Sequence, residues 1–359
     1  MSEIIKNKKK VAVVLFNLGG PDSLNAVKPF LFNLFNDQYI ITLPSVLRFL
    51  VAKLISIRRE KVAKTIYANT GGKSPILDET LAQKEAIKEE LINSSNITFE
   101  LFICMRHWHP MTEEVVKNIK NYEPTEIILL PLYPQFSTTT TASSLNEFGK
   151  NLRKEFMDKV KLKTICCYPL DEGFIDSHVK LIEAKLNDKL DLSNYRILFS
   201  AHGLPEKIVK SGDPYQWQIE QTVFKIINKL QLLPKFKNID YKVTYQSRVG
   251  PLKWLEPNTE DEIKVAGKQK KSLIIVPVAF VSEHVETLVE LDIEYRHIAA
   301  EYNVDYVRVP TLSTNELFIK SLANMILTFS YKNSSCLSSS NFNRICPDIY
   351  SKCPCQEAE

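Results

Sequence analysis

Glycine is scarce, at 10 residues in 359, and 44% hydrophobic with 25% charged residues is an ordinary balance. That composition excludes a collagen-like repeat, a disordered chain and a solenoid of short period. Charge of either sign is also in short excess: a net +4 over this length is no nucleic-acid footprint, so no nucleic-acid partner is expected. No stretch is apolar and free of charge over the length of a membrane span. The lysine-rich first ten residues lack the apolar core of a signal peptide. Cysteine comes as an odd count of seven with no regular framework, which fits a reducing compartment better than secretion. The expected location is the cytoplasm.

The glycine patterns of nucleotide sites are missing as well. Gly71-Gly-Lys-Ser74 imitates the end of a phosphate-binding loop, but the earlier glycine would fall at Tyr67, in a helical stretch. Asn17-Leu-Gly-Gly-Pro21 follows a strand yet lacks the third glycine, and Pro21 removes an N–H that a phosphate cradle needs. No nucleotide is expected. Gly19 and Gly20 are read instead as permitting a tight turn and close approach of backbone to a ligand face.

Present throughout are apolar runs alternating with helical periodicity, the mark of a parallel sheet built from strand–helix units. Strands are expected near 11–17, 99–105, 126–132 and 161–168, then near 195–200, 242–246, 272–279 and 304–309. The clearest helices are expected at 79–92, 112–121 and 174–186, with a closing helix near 315–329. The two strand sets match at three points. Val14-Leu-Phe-Asn-Leu-Gly-Gly-Pro21 parallels Ile197-Leu-Phe-Ser-Ala-His-Gly-Leu-Pro205, Met105-Arg106 parallels Ser247-Arg248, and Ile128-Leu-Leu-Pro-Leu132 parallels Ile274-Ile-Val-Pro-Val278. The fold class expected is α/β: two similar doubly wound, flavodoxin-like or Rossmann-like lobes from an internal duplication, with a cleft between them. The lobes are placed at 8–168 and 169–312, followed by the closing helix at 313–330 and a Cys- and Ser-rich tail at 331–359.

Phe16 and Arg106 are 90 residues apart whereas Phe199 and Arg248 are 49 apart, so the first copy carries 41 more, inserted at about 37–78. Tyr39–Ile57 within it is strongly apolar but broken by a proline and two cations. It suits an apolar lip over a cleft or a surface lying on a membrane, against the alternative of an extra core helix. Such a lip implies a large, flat, apolar ligand.

After the strand Ser272–Phe280 comes a row of acids. If helical, it sets Glu283, Glu286, Glu290 and Glu294 on one stripe, at steps of three, four and four. The plain alternative is a solvated helix face. Starting beyond the carboxyl end of a sheet strand, however, the stripe can hold or conduct a hard divalent cation. His202, in Phe199-Ser-Ala-His-Gly-Leu-Pro205, ends the first strand of the same lobe and opens on the same side. An imidazole facing carboxylates offers a base and a metal path together.

Six motifs in order then carry a resemblance. They are Asn17-Leu-Gly-Gly-Pro21, Arg106-His-Trp-His-Pro110, Leu130-Pro-Leu-Tyr-Pro-Gln135, Ser200-Ala-His-Gly-Leu-Pro205, Gln246-Ser-Arg-Val-Gly250 and Glu283-His-Val-Glu-Thr-Leu-Val-Glu-Leu-Asp-Ile-Glu-Tyr295. The chain closely resembles the ferrochelatase family, whose members insert ferrous iron into a porphyrin in haem biosynthesis. The resemblance implies protoporphyrin IX and ferrous iron as substrates, without ATP. It implies His202 as the base that accepts pyrrole protons, and Glu286, with Glu290, as a metal and proton path from the opposite macrocycle face, His284 orienting Glu286. Metal ligands would be His202, Glu286 and Glu290. Tyr133, Trp254 and the Gly19-Gly20 turn would grip the ring, Trp254 being a core aromatic in the alternative, and Arg106 or Arg248 would either meet propionates or form structural ion pairs within the lobes. A relative using coproporphyrin, sirohydrochlorin or another metal, and a non-catalytic haem or metal carrier, remain the alternatives. Some members hold a [2Fe–2S] cluster on tail cysteines plus an internal one. Here Cys336, Cys346, Cys353 and Cys355 offer thiolates, but their spacing departs from the familiar form and no internal cysteine stands out, so free thiols are the preferred reading.

Overall fold

The computed structural model describes residues 9–156, 160–248, 250–332, 337–340 and 343–355. Of the residues singled out above, Cys336 lies outside the described set.

The first half runs β1 (Lys10–Asn17), α1 (Val27–Phe35), α2 (Ser45–Ala68), α3 (Ile76–Ser94), β2 (Thr98–Met105), α4 (Thr112–Tyr122), β3 (Glu126–Pro131), a π-turn at Thr138–Ala142, α5 (Ser143–Phe156) and β4 (Lys161–Ile165). The second runs α6 (Glu172–Lys185), β5 (Tyr195–His202), α7 (Glu206–Lys210), α8 (Tyr215–Leu230), β6 (Asp240–Gln246), α9 (Thr259–Lys268), β7 (Ser272–Pro277), a π-helix at Glu286–Glu294, α10 (Tyr295–Glu301) and β8 (Tyr306–Arg308). The chain then closes with α11 (Glu316–Tyr331) and the two-residue β9 (Leu337–Ser338).

All pairings are parallel, in the orders β2-β1-β3-β4-β9 and β6-β5-β7-β8. Leaving out β9, the two halves share one strand order, so the duplication extends from motif to topology. It reaches the connections too: the third strand of each sheet leads into π-helical backbone, Thr138–Ala142 in one and Glu286–Glu294 in the other. Short π segments concentrate at functional sites.

Val11 to Leu15 and Leu273 to Val276 are completely buried because helices cover both faces of each sheet. One apolar core joins side chains of both sheets to α3, α6, α8 and α11. Smaller cores lie under α4 and α5 on the first sheet and under α9 and α10 on the second. The molecule is therefore layered helix, sheet, helix, sheet, helix. The carboxyl ends of β1, β2 and β3 carry Asn17, Arg106 and Tyr133, and those of β5, β6 and β7 carry His202, Ser247 and the acidic segment.

The insertion is the 24-residue helix α2, lying on α1 through Phe32 and Phe49. Most of its apolar side chains stay out of the core: Val46 is 72% exposed and Phe49 48%, with Leu47, Leu50, Leu54 and Ile57 between, while Ala52 and Tyr67 are buried. An extra core helix is thereby ruled out. No helix among the described residues is long and apolar enough to cross a membrane.

Candidate active site

β5 and β7 are the strands between which the order of the second sheet reverses direction, the crevice position where doubly wound sheets bind ligands. His202 is the last residue of β5, paired in register with Gln246 of β6. Its carbonyl accepts a hydrogen bond from the Tyr215 hydroxyl at 3.0 Å, which fixes the strand end against α8. Its Nδ1 lies 2.8 Å from Oε2 of Glu286, the first residue of the π-helix.

That contact corrects one expectation. Atoms 2.8 Å apart leave no space for a macrocycle between them, so the two side chains belong to one face of any flat ligand rather than to opposite faces. The pair is partly open, with side-chain exposures of 39% and 25%.

From Glu286 a chain of groups continues along the helix. The Ser247 hydroxyl donates to Oε2 of Glu290 at 2.6 Å and reaches Oε2 of Glu286 at 3.3 Å. Glu290 also accepts from the Ser247 N–H at 2.9 Å, Gln246 Nε2 at 2.9 Å and the Tyr295 hydroxyl at 2.7 Å. Ser247 holds a left-handed backbone at φ 65°, a conformation non-glycine residues keep where surrounding contacts enforce it. In π-helical backbone, with bonds from i to i+5, a step of four returns nearly to the same face, so Glu290 follows Glu286. Glu283 leaves the expected stripe. It precedes the helix and is held by Arg308 at 2.5 Å, by the Thr311 N–H at 3.0 Å and by the Thr287 hydroxyl. Arg308 also grips Asp292, which anchors the helix to β8.

The electrostatics separate the groups. Burial disfavours the His202 imidazolium, but the Glu286 carboxylate and its hydrogen bond prevail and hold His202 above its ordinary value. Burial would lift Glu286, but the charge and hydrogen bond of His202 take it down to about 2. Glu290 goes the other way, raised by burial and then by the Glu286 charge. Neighbouring carboxylates pushed apart in this way give one anion and one group closer to holding a proton.

The other expected residues divide. His284 is buried beside Phe280, its Nδ1 3.2 Å from the Ser282 carbonyl; it feels Glu286 through charge, and burial holds its pKa low. Trp254 bridges to Pro205 and covers Gly203, the residue after His202. Tyr133 packs on the first-sheet core with its hydroxyl buried. Arg106 is committed elsewhere: it pairs with buried Asp37 at 2.9 Å and donates to Ser143 at 2.7 Å, so its charge is neutralised within the first lobe rather than offered to a propionate. Gly19 and Gly20 do permit close approach, but to protein. A Cβ on Gly19 would stand 3.1 Å from Met105 and Trp108, and one on Gly20 2.5 Å from Ser74. The space expected for a ligand face there is filled.

Sequence reasoning missed Ser247, Gln246, Tyr295 and Tyr215, which hold the acids and His202 in place. The matched strand ends Met105-Arg106 and Ser247-Arg248 were the available signal for Ser247. It also missed Tyr67 at the end of α2, a buried phenol raised by burial and then by the Glu286 charge. Tyr67 packs with Val27, Phe30, Trp108 and Val285, so the insertion reaches the mouth of the site.

A second cluster lies at the carboxyl end of β4. Cys166, Cys167, Cys346, Cys353 and Cys355 are buried together. Cys166 and Cys355 sulfurs are 3.0 Å apart, and Cys353 meets both Cys346 and Cys355. β9 and the Lys352 N–H bond to Gly212 bring the tail there. Internal cysteines therefore do join the tail, contrary to the sequence reading. Tetrahedral ligands at about 2.3 Å from a metal stand roughly 3.8 Å apart, wider than the Cys166–Cys355 separation. Accordingly, among the described residues no group of three or more His, Cys, Asp or Glu is splayed about a metal position. The donor set nonetheless fits four-thiolate ligation.

The ferrochelatase family model matches residues 10–329. The chain belongs to the ferrochelatase family. The ferrochelatase of Rickettsia bellii is 58% identical over 351 residues, covering 97% of this chain and 96% of that one. That of Pelagibacter ubique is 51% identical, covering 98% and 100%. Among solved structures, SirB from Bacillus subtilis with Fe3+ aligns at TM-score 0.52 and 12% identity, covering 90% of this chain and 96% of that one. The sirohydrochlorin chelatase SirB of Bacillus subtilis subspecies spizizenii with cobalt aligns at 0.50 and 12%, covering 88% and 93%. At that identity the likeness is one of fold. Family membership makes this chain an enzyme, a metal chelatase of the lyase class, acting in haem synthesis by metal insertion into a porphyrin.

Proposed function

We propose that this ferrochelatase-family enzyme inserts ferrous iron into protoporphyrin IX without ATP, using His202 and Glu286 as a pair on one face of the macrocycle. Insertion replaces two pyrrole N–H protons by one Fe2+ ion, so the site must accept protons as the metal arrives. His202 is the base: its neutral imidazole takes a pyrrole proton, and Glu286 stabilises the imidazolium that results. Glu286 and Glu290 are hard oxygen donors suited to divalent iron, and the Ser247 hydroxyl between them links a proton path outward. His284 and Trp254 are taken as supports, His284 through its charge near Glu286 and Trp254 through Gly203. The observation that carries the reading is the 2.8 Å contact of His202 with Glu286 at the switch point of the second sheet.

We take the two sheets as two lobes, 8–168 and 169–312, closed by α11. The exposed apolar side of α2, flanked by Arg48, Lys53, Arg58 and Arg59, supports peripheral membrane contact by a cytoplasmic enzyme whose substrate partitions into lipid. Cys166, Cys346, Cys353 and Cys355, with Cys167 alongside, would hold a [2Fe–2S] cluster, which supplies one-electron redox chemistry when bound.

Anaerobic protein with protoporphyrin and ferrous iron, nucleotides omitted, should form haem, read from the Soret band. Coproporphyrin and sirohydrochlorin in parallel, and cobalt in place of iron, separate the alternatives. Turnover only with a tetra- or octacarboxylate macrocycle, or only with ATP, contradicts the proposal.

A further inference from the structure

Gln218, in the first turn of α8, is completely buried beside the cysteine cluster. Its Oε1 accepts the backbone N–H of Phe136 at 2.7 Å. That bond fixes which way the amide faces, and its NH2 group is left pointing at sulfur: Nε2 lies 3.1 Å from Cys346 Sγ and 3.6 Å from Cys167 Sγ. A neutral thiol is a weak acceptor, so an amide with both N–H groups aimed at thiols recovers little of its desolvation cost. A metal-bound thiolate carries negative charge and accepts such bonds well.

We propose that Gln218 is the positioning donor for a metal–sulfur centre in this cluster, hydrogen-bonding the Cys346 thiolate and easing addition of an electron. The inference rests on the [2Fe–2S] reading above. Hydrogen bonds to ligand sulfur draw off electron density and raise the reduction potential. The donor comes from α8, whose Tyr215 also holds the His202 carbonyl, so one helix contacts both sites.

The test uses full-length protein purified anaerobically, with iron and sulfide assayed, compared with Gln218→Leu and Gln218→Glu. Glutamate keeps an acceptor for the Phe136 N–H but turns oxygen toward sulfur; leucine removes the donors without adding charge. Visible absorption followed through a redox titration should show a cluster in all three, with the midpoint lowered in Gln218→Leu and further lowered in Gln218→Glu. A midpoint unmoved in Gln218→Leu, with iron and sulfide intact, overturns the role of Gln218 and leaves the cluster reading standing. Wild-type protein without iron and sulfide overturns both. Should either variant fail to assemble a cluster, wild-type protein labelled with 15N in its glutamine side chains decides. Pulsed EPR of the reduced centre should show a nitrogen coupling, and its absence overturns the proposal.

Discussion

Replacing Glu286 by glutamine removes the main group that offsets burial of the His202 charge and leaves only the weaker pull of Glu290 against it. The groups facing this imidazole are Glu286 at 2.8 Å, then Glu290 and the buried His284. Glu286 is drawn from 4.5 to about 2, mainly by His202 acting against burial. At about 1.4 kcal/mol per pH unit that is roughly 3 kcal/mol as an upper figure. Both side chains are partly exposed, and screening by water reduces the coupling to ~1–2 kcal/mol, about five- to thirtyfold in an equilibrium constant. The sign follows from which form each partner favours. The depressed Glu286 contributes stability above the ordinary carboxylate value of 4.5, fading as pH falls toward about 2. The raised His202 contributes fully below the ordinary 6.5, and that share is lost as pH rises through its folded value. These are two views of one interaction, full between those limits. In Glu286→Gln the acidic limb of kcat/KM, where His202 must lose its proton to act as a base, therefore moves to lower pH. The position of the limb is read, not the height, since the variant also loses a metal donor. Histidine 15N NMR gives the same titration without turnover, because the chain has only six histidines and His202→Ala assigns the signal. A His202 midpoint that stays in place, or rises, refutes the coupling.

Other substitutions test the frame around the pair. Gly20→Ala should cost about 1–3 kcal/mol in urea unfolding, because its Cβ would stand 2.5 Å from Ser74, and Ser74→Gly in the same chain should restore most of it. Arg308→Met leaves Glu283 and Asp292 without their shared cation and should cost about 3–5 kcal/mol, with lowered turnover as the π-helix loses its anchor. Val46→Glu with Leu50→Glu, on the exposed side of α2, should weaken sedimentation with anionic vesicles while leaving the melting temperature within a few degrees. Gly212→Ala places a methyl 2.4 Å from Ser351 and should loosen the docked tail, read as faster thiol labelling of Cys353 and Cys355.

The central strands β1, β3, β5 and β7 were legible because each is buried on both faces and stands as an apolar run; β1 and β2 begin one residue before the expected start. The shared strand order followed from matched strand ends, which also placed His202 and the acids on one side. The π-helix was not legible, since acids recurring every four residues suit α and π geometry alike. Nor was the thiol cluster: Cys166 and Cys355 meet across 189 positions, through a two-residue strand that carries no periodicity. Of the two roles open to Arg106, the structural ion pair holds, but its partner, Asp37, sits in the unmatched insertion, where the duplication offers no template to name it. Gly19 and Gly20 announced a close approach correctly, but a glycine does not say what approaches.

The central claim is that His202 and Glu286 act as one unit. Single-turnover loss of protoporphyrin fluorescence on mixing with ferrous iron, in wild type, His202→Ala, Glu286→Ala and the double variant, tests it most directly. Residues that act together give non-additive losses, so the double variant should be about as slow as the slower single one. Losses that multiply, or near-wild-type rates in both single variants, would contradict it.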